Sequence, residues 1–212
     1  MALQAETLAH AALVGGGQTA LHGHAGDGST PDVHYFRHAG LTTYETWFTS
    51  PKAGTALAGS ALTANRLYAM PFVCPKGCTA DQIAVYVSTL LAGAARLGIY
   101  ADNGNCYPGS RVIDAGTIDT GTAGAKKLTI SQALAAGSLY WLVYVGNAAA
   151  SIYCIPVAGV VNVLGHSSAL GTAQNAGLYA AFTYAALPGT FPASPTMITA
   201  APIPAIFLRL SS

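Results

Sequence analysis

Gln82-Ile83-Ala84-Val85-Tyr86-Val87 and Arg96-Leu97-Gly98-Ile99-Tyr100 are the stretches that decide the fold. Ile83, Val85 and Val87 alternate with Gln82, Ala84 and Tyr86, and Leu97 and Ile99 alternate with Arg96 and Tyr100. A period of two sends successive side chains to opposite sides of an extended chain, so each stretch reads as a strand with one face turned inward. Turn chemistry follows at once in Asp102-Asn103-Gly104-Asn105 and Tyr107-Pro108-Gly109-Ser110. Asn and Gly there accept positive φ, and Pro presets its own. Residues 112–118, 127–130, 139–145 and 151–157 give four further strands. The run 139–145 is apolar on both faces, has Trp141 in its middle and contains no Pro, which marks a central strand.

From residue 41 onward, strands separated by Gly, Pro and Asn turns at close spacing predict an all-β protein, an antiparallel, jelly-roll-like β-sandwich. The tail from 159 to 212 is diluted by Ala and Gly and interrupted by Pro188, Pro192, Pro195, Pro202 and Pro204. Residues 160–164, 178–184 and 203–210 keep strand propensity within it, and the rest reads as long loops. The first forty residues differ. After a short apolar piece, 3–14, come Gly15, Gly16, Gly17, Gly23, Gly26, Gly28 and Pro31 with small polar residues between them. That composition is too polar and glycine-rich to bury a core, so residues 1–42 are expected to form an extended arm and 43–212 a head domain.

Charge narrows the function. Only 8% of the chain is Asp, Glu, Lys or Arg, and none of these occurs from 128 to 208, where an ordinary domain is roughly a quarter charged. His166, Cys154 and several tyrosines are the only titratable groups in that stretch, too few for acid–base or nucleophilic chemistry. The expectation is a non-enzymatic structural or binding protein. A surface so poor in ions also has little repulsion to keep copies apart, so an assembly is expected. A net charge of +1 without a basic stripe argues against nucleic acid as partner. The longest apolar runs are too short or too interrupted for a membrane span. The first residues lack the basic n-region of a signal peptide.

The four cysteines, at 74, 78, 106 and 154, do not make the paired CxxC arrangement of a structural zinc site. They read as reduced cysteines, buried small hydrophobes or turn residues. A local bridge between Cys74 and Cys78 across Pro75-Lys76-Gly77 is the alternative, provided the backbone separation allows it.

Three segments in order carry a resemblance: Asn65-Arg66-Leu67-Tyr68-Ala69-Met70-Pro71-Phe72, Ala95-Arg96-Leu97-Gly98-Ile99-Tyr100, and Ala135-Ala136-Gly137-Ser138-Leu139-Tyr140-Trp141-Leu142. Together, over residues 43 to 160, they resemble a β-sandwich module of tailed-bacteriophage fibre and head-decoration proteins. Ala9-His10-Ala11-Ala12-Leu13 and Leu21-His22-Gly23-His24-Ala25-Gly26 are similar to segments of phage tail-fibre stems. The resemblance implies a virion surface protein, a homotrimer joined to other capsid, tail or neck proteins through residues 1–42. It further implies an iron ion held on the three-fold axis by His22 and His24. Residues two apart on an extended strand point the same way, so three chains would present six imidazoles to one axis.

Exposed aromatic faces stack on sugar rings, and Tyr100 and Tyr107, beside the Asn-Gly and Pro-Gly turns, are the expected ligand-binding residues if the head binds a host surface glycan. Trp141 and Tyr140 are expected in packing. Asp114 and Asp119 raise the possibility of a polysaccharide depolymerase, without partner acids to support it. Gly15-Gly16-Gly17 has no following Lys and is a hinge, not a phosphate loop. Asp27, Asp32, His34 and His38 read as solvated polar residues, and Ser167 and Ser168 lack a nucleophile elbow.

Overall fold

The computed structural model describes residues 47–52, 56–75, 77–161, 163–166, 175–200 and 202–211. All belong to the unit Ala39–Ser212. The expected arm, with His22 and His24 and their iron site, lies outside the described residues.

The described chain is all-β. Twelve strands follow in order: β1 (Trp47–Phe48), β2 (Ala58–Ala61), β3 (Arg66–Val73), β4 (Cys78–Thr89), β5 (Ala94–Asp102), β6 (Pro108–Asp119), β7 (Gly124–Leu134), β8 (Leu139–Gly146), β9 (Ser151–Cys154), β10 (Gly177–Ala181), β11 (Thr196–Ile198) and β12 (Phe207–Ser211). They form two antiparallel sheets packed face to face. The first has the order β1-β12-β4-β9-β2, with β7 on the other edge of β4; the second has the order β11-β10-β3-β8-β5-β6. These pairings establish the sandwich and go no further toward a jelly roll.

The core between the sheets is built by the predicted alternation. Ile83, Val85 and Val87 of β4 meet Leu97 and Ile99 of β5, Leu142 and Tyr144 of β8, and Tyr68, Met70 and Phe72 of β3, all essentially sealed from solvent. Tyr86, the outward residue of β4, is exposed. β8 is central, hydrogen-bonded to β3 on one side and β5 on the other.

The second sheet departs from simple alternation because it is buried on both faces. Leu67, Ala69, Trp141, Val143, Val145 and Leu178 point away from the first sheet, yet they form a second core with Leu187 and Phe191 from the segment after β10. That segment lies over the outer face and forms no strand from 182 to 195, in keeping with its prolines, which supply no N–H for a ladder. Ion pairs fasten the edges of this layer. The Arg96 guanidinium donates to both Asp114 oxygens at 2.9 and 2.8 Å. Asp114 also accepts the Leu187 N–H at 3.0 Å and the Gly116 N–H at 3.1 Å.

Two sequence expectations are corrected. Pro108-Gly109-Ser110 is not a turn but the start of β6, with Pro108 opposite Asp102. Pro is tolerated there because it is the first residue of an edge strand. The reversal falls in 103–107, where Asn103 N–H donates to the Tyr107 carbonyl at 2.9 Å and Gly104 and Cys106 take positive φ. The strand expected over 151–157 ends at Cys154, followed by a 3-10 turn at Val157–Gly159.

Candidate functional site

The β5–β6 turn is shaped by its own side chains. Asp102 accepts the Gly104 N–H at 2.7 Å, and Asn103 Oδ1 accepts the Asn105 N–H at 2.9 Å. These are Asx turns, in which a short polar side chain takes the place of a backbone acceptor. The other oxygen of Asp102 accepts the Trp141 indole N–H at 3.0 Å, tying the turn to β8.

Alongside it runs residues 189–191. Arg111 N–H donates to the Gly189 carbonyl at 2.8 Å, Phe191 N–H to the Gly109 carbonyl at 3.0 Å, and Ser110 bridges to Thr190. Between the turn and this segment lies an open cleft of about 450 Å3. Asn103, Tyr107 and Pro108 form one wall; residues 190–195 form the other. No charged side chain is among its lining residues. Tyr107, 40% exposed, lines the cleft. Ser194, on the opposite wall, holds a φ of 55°, a left-handed conformation uncommon for Ser.

Tyr100 and Tyr107, paired by the sequence as rim residues, occupy different places. Tyr100 is fully buried and is removed from the rim. Its hydroxyl donates to the Pro188 carbonyl at 2.6 Å, and its ring meets Phe191 edge-on at 5.5 Å between centroids. It supports the wall of the cleft from beneath. Burial pushes its phenol up to about 12, opposed by Arg111 and helped by Asp114. The pattern missed this because Tyr100 points outward from β5, and only the overlying segment closes that side.

A second aromatic feature was legible only in part. Tyr86 of β4 and Tyr153 of β9 stack on the outer face of the first sheet, centroids 4.6 Å apart and planes 11° from parallel. Alternation marked Tyr86 as outward, but not its neighbour across the sheet. Tyr179 lies under the Arg66 guanidinium at 4.1 Å. Tyr144 is buried, its hydroxyl without a hydrogen-bond partner among the described residues, and burial raises its phenol. Trp141 and Tyr140 serve packing as expected.

The two carboxylates singled out earlier are separately engaged. Asp114 is held by Arg96 and two backbone N–H groups, as described. Asp119, exposed at the end of β6, accepts the Gly121 N–H at 2.9 Å and the Thr122 hydroxyl at 3.0 Å. Those bonds, with Lys126 nearby, hold its carboxyl below the usual range. Among the described residues no three His, Cys, Asp or Glu side chains gather as a metal site. His166 is exposed. Comparison of the chain with models of protein families, with curated proteins and with solved structures returns no match.

Proposed function

We propose that this chain is a non-enzymatic structural protein of a virion, a homotrimeric capsid-decoration or tail/head-fibre component anchored to other virion proteins through residues 1–42. The observation that carries the reading is the absence of Asp, Glu, Lys and Arg from the stretch 128 to 208. Val157 and Val161 within it are 39% and 48% exposed, and Leu90 and Leu91 of the β4–β5 turn are 57% and 47% exposed. Val157 and Val161, open to water in a stretch without repelling ions, favour contact with neighbouring copies, and charge buried in such a contact would cost more than it returned. The β-sandwich is compatible with the head-decoration module that the sequence resembles. Among the described residues no helix is long and apolar enough to cross a membrane.

Light scattering on the full chain tests the assembly. Three times the 21.5 kDa chain mass is expected at micromolar concentration, and a clean monomer there would overturn the trimer. Low-resolution imaging of virions labelled at the C-terminus then locates the head on capsid or tail.

The cleft favours a second reading, attachment to a host surface glycan. An exposed Tyr107 ring beside Asn103, Thr190 and Ser194 joins a stacking face to neutral hydrogen-bonding groups, the combination a neutral sugar needs. Glycan-array binding that disappears in Tyr107→Ala supports it; an array signal unchanged by that substitution removes the cleft from consideration.

A further inference from the structure

We propose that Cys74 and Cys78 are a site of oxidative modification, a dithiol that a small-molecule disulfide closes into a bridge between the two sheets. The inference does not rest on the virion reading. Both residues stand as thiols, with their sulfurs 3.6 Å apart. Cys74 follows β3 in the second sheet, and Cys78 opens β4 in the first.

Their backbones are fixed by the same neighbouring turn. Cys74 N–H donates to the Ser138 carbonyl at 3.0 Å, and Gly137 N–H donates to the Cys74 carbonyl at 2.9 Å. Cys78 stands opposite Leu134 in the β4–β7 ladder. The crossover from β3 to β4 and the crossover from β7 to β8 thus lie side by side at one corner of the sandwich. With both ends pinned and the sulfurs already in contact, closure calls for side-chain rotation more than backbone movement.

Access sets the order of events. Cys78 is half-buried and Cys74 is sealed, at 0% exposure. The Cys78 thiolate attacks oxidised glutathione, forming a mixed disulfide and releasing one glutathione. The Cys74 thiolate then attacks the Cys78 sulfur and displaces the second. The glutathione disulfide takes up two electrons, the protein bridge forms, and the two thiol protons end on the two glutathiones. The other cysteines differ. Cys154 is buried and its thiol is pushed up to about 12 by desolvation, so it stays protonated. Cys106 is exposed in the β5–β6 turn and stops at a mixed disulfide.

Lys76 lies between the pair, which makes the bridge directly readable. The full chain carrying Cys106→Ser is equilibrated with oxidised glutathione, alkylated, and digested with trypsin without reduction. Peptides 67–76 and 77–96 should remain joined and separate on reduction, with the intact mass lower by two hydrogens. The melting temperature should rise by about 4–8 °C, as expected for closing a short loop in a domain of this size. Cys78→Ser should abolish both the linkage and the rise while leaving the reduced protein's melting temperature nearly unchanged. Two alkylated peptides after equilibration, a glutathione retained on Cys78, or a bridge to another cysteine would each overturn the proposal.

Discussion

The two sheets share one core but differ on their outer faces. In the second sheet the outer face holds Trp141, Val143, Val145, Leu67 and Leu178, closed over by Leu187 and Phe191. On the outer face of the first sheet Tyr86, exposed among the described residues, stacks on Tyr153, and the Lys127 ammonium lies 5.4 Å from the centre of the Trp47 ring. The contrast follows from composition. β8 is apolar at nearly every position and needs cover on both sides, whereas β4 and β7 alternate and can face water. Several of the few described ions attend to surfaces or edges of this arrangement: Arg96 with Asp114, Arg209 with Asp81, and Asp102 with the indole of Trp141. A chain so short of charge uses it chiefly to position elements.

The contrast breaks most visibly at Trp141. Trp141→Ala empties the centre of the second core and deprives Asp102 of its indole donor, at an expected cost of about 3–5 kcal/mol. Tyr153→Ala removes a stacked but partly open ring on the first sheet, at about 1 kcal/mol or less. Urea unfolding of the two variants, compared at equal denaturant slope, checks the ordering. Equal losses would mean that the first sheet's outer face is as tightly covered as the second's.

Tyr100 sharpens the comparison with a smaller effect. Tyr100→Phe keeps the ring against Phe191 and loses only the hydrogen bond to the Pro188 carbonyl, about 1 kcal/mol at neutral pH. The alkaline side carries a further signature. A phenol with a folded pKa near 12 and an unfolded value of 10.0 retains its proton longer in the folded protein. The folded state then binds more protons, so stability is complete below pH 10 and is lost as pH climbs toward 12. Tyr144 and Cys154 are raised for the same reason, desolvation, and act in the same direction. The deficit of Tyr100→Phe should therefore narrow between pH 10 and 12, because the variant has one fewer group to titrate. A deficit that is constant across that range would place the Tyr100 hydroxyl in water.

How much of this was legible depends on the range of the interaction. Period two in 82–87 and the double-faced run 139–145 disclosed the strands and the central place of β8, because both are local patterns. The cover over the second sheet's outer face was not legible. Tyr100 and Pro188 meet across 88 residues, and alternation reports only that Tyr100 leaves β5 on the side opposite Ile99. The same limit hid the cleft. Its first wall follows from Asp102, Asn103 and Gly104, whose turn chemistry is written in sequence, although the reversal sits before Pro108 rather than around it. The second wall, 190–195, is placed by hydrogen bonds to Gly109 and Arg111 that no local pattern announces. β11, only three residues long between Pro195 and Pro202, is too short to signal by propensity.

Tyr107 should give the smallest effect on stability and separates support from contact most cleanly. It lies seven positions after Tyr100, yet its ring faces the cleft while that of Tyr100 underlies it. Removing an exposed side chain leaves the core intact, so Tyr107→Ala should shift unfolding by no more than about 0.5 kcal/mol. If the cleft holds a neutral sugar, the same substitution abolishes glycan binding, whereas Tyr100→Phe, which leaves the Tyr107 face in place, retains it. A large loss of stability in Tyr107→Ala would show that its ring braces the 190–195 wall instead. The cleft would then be a structural seam continuous with the second core.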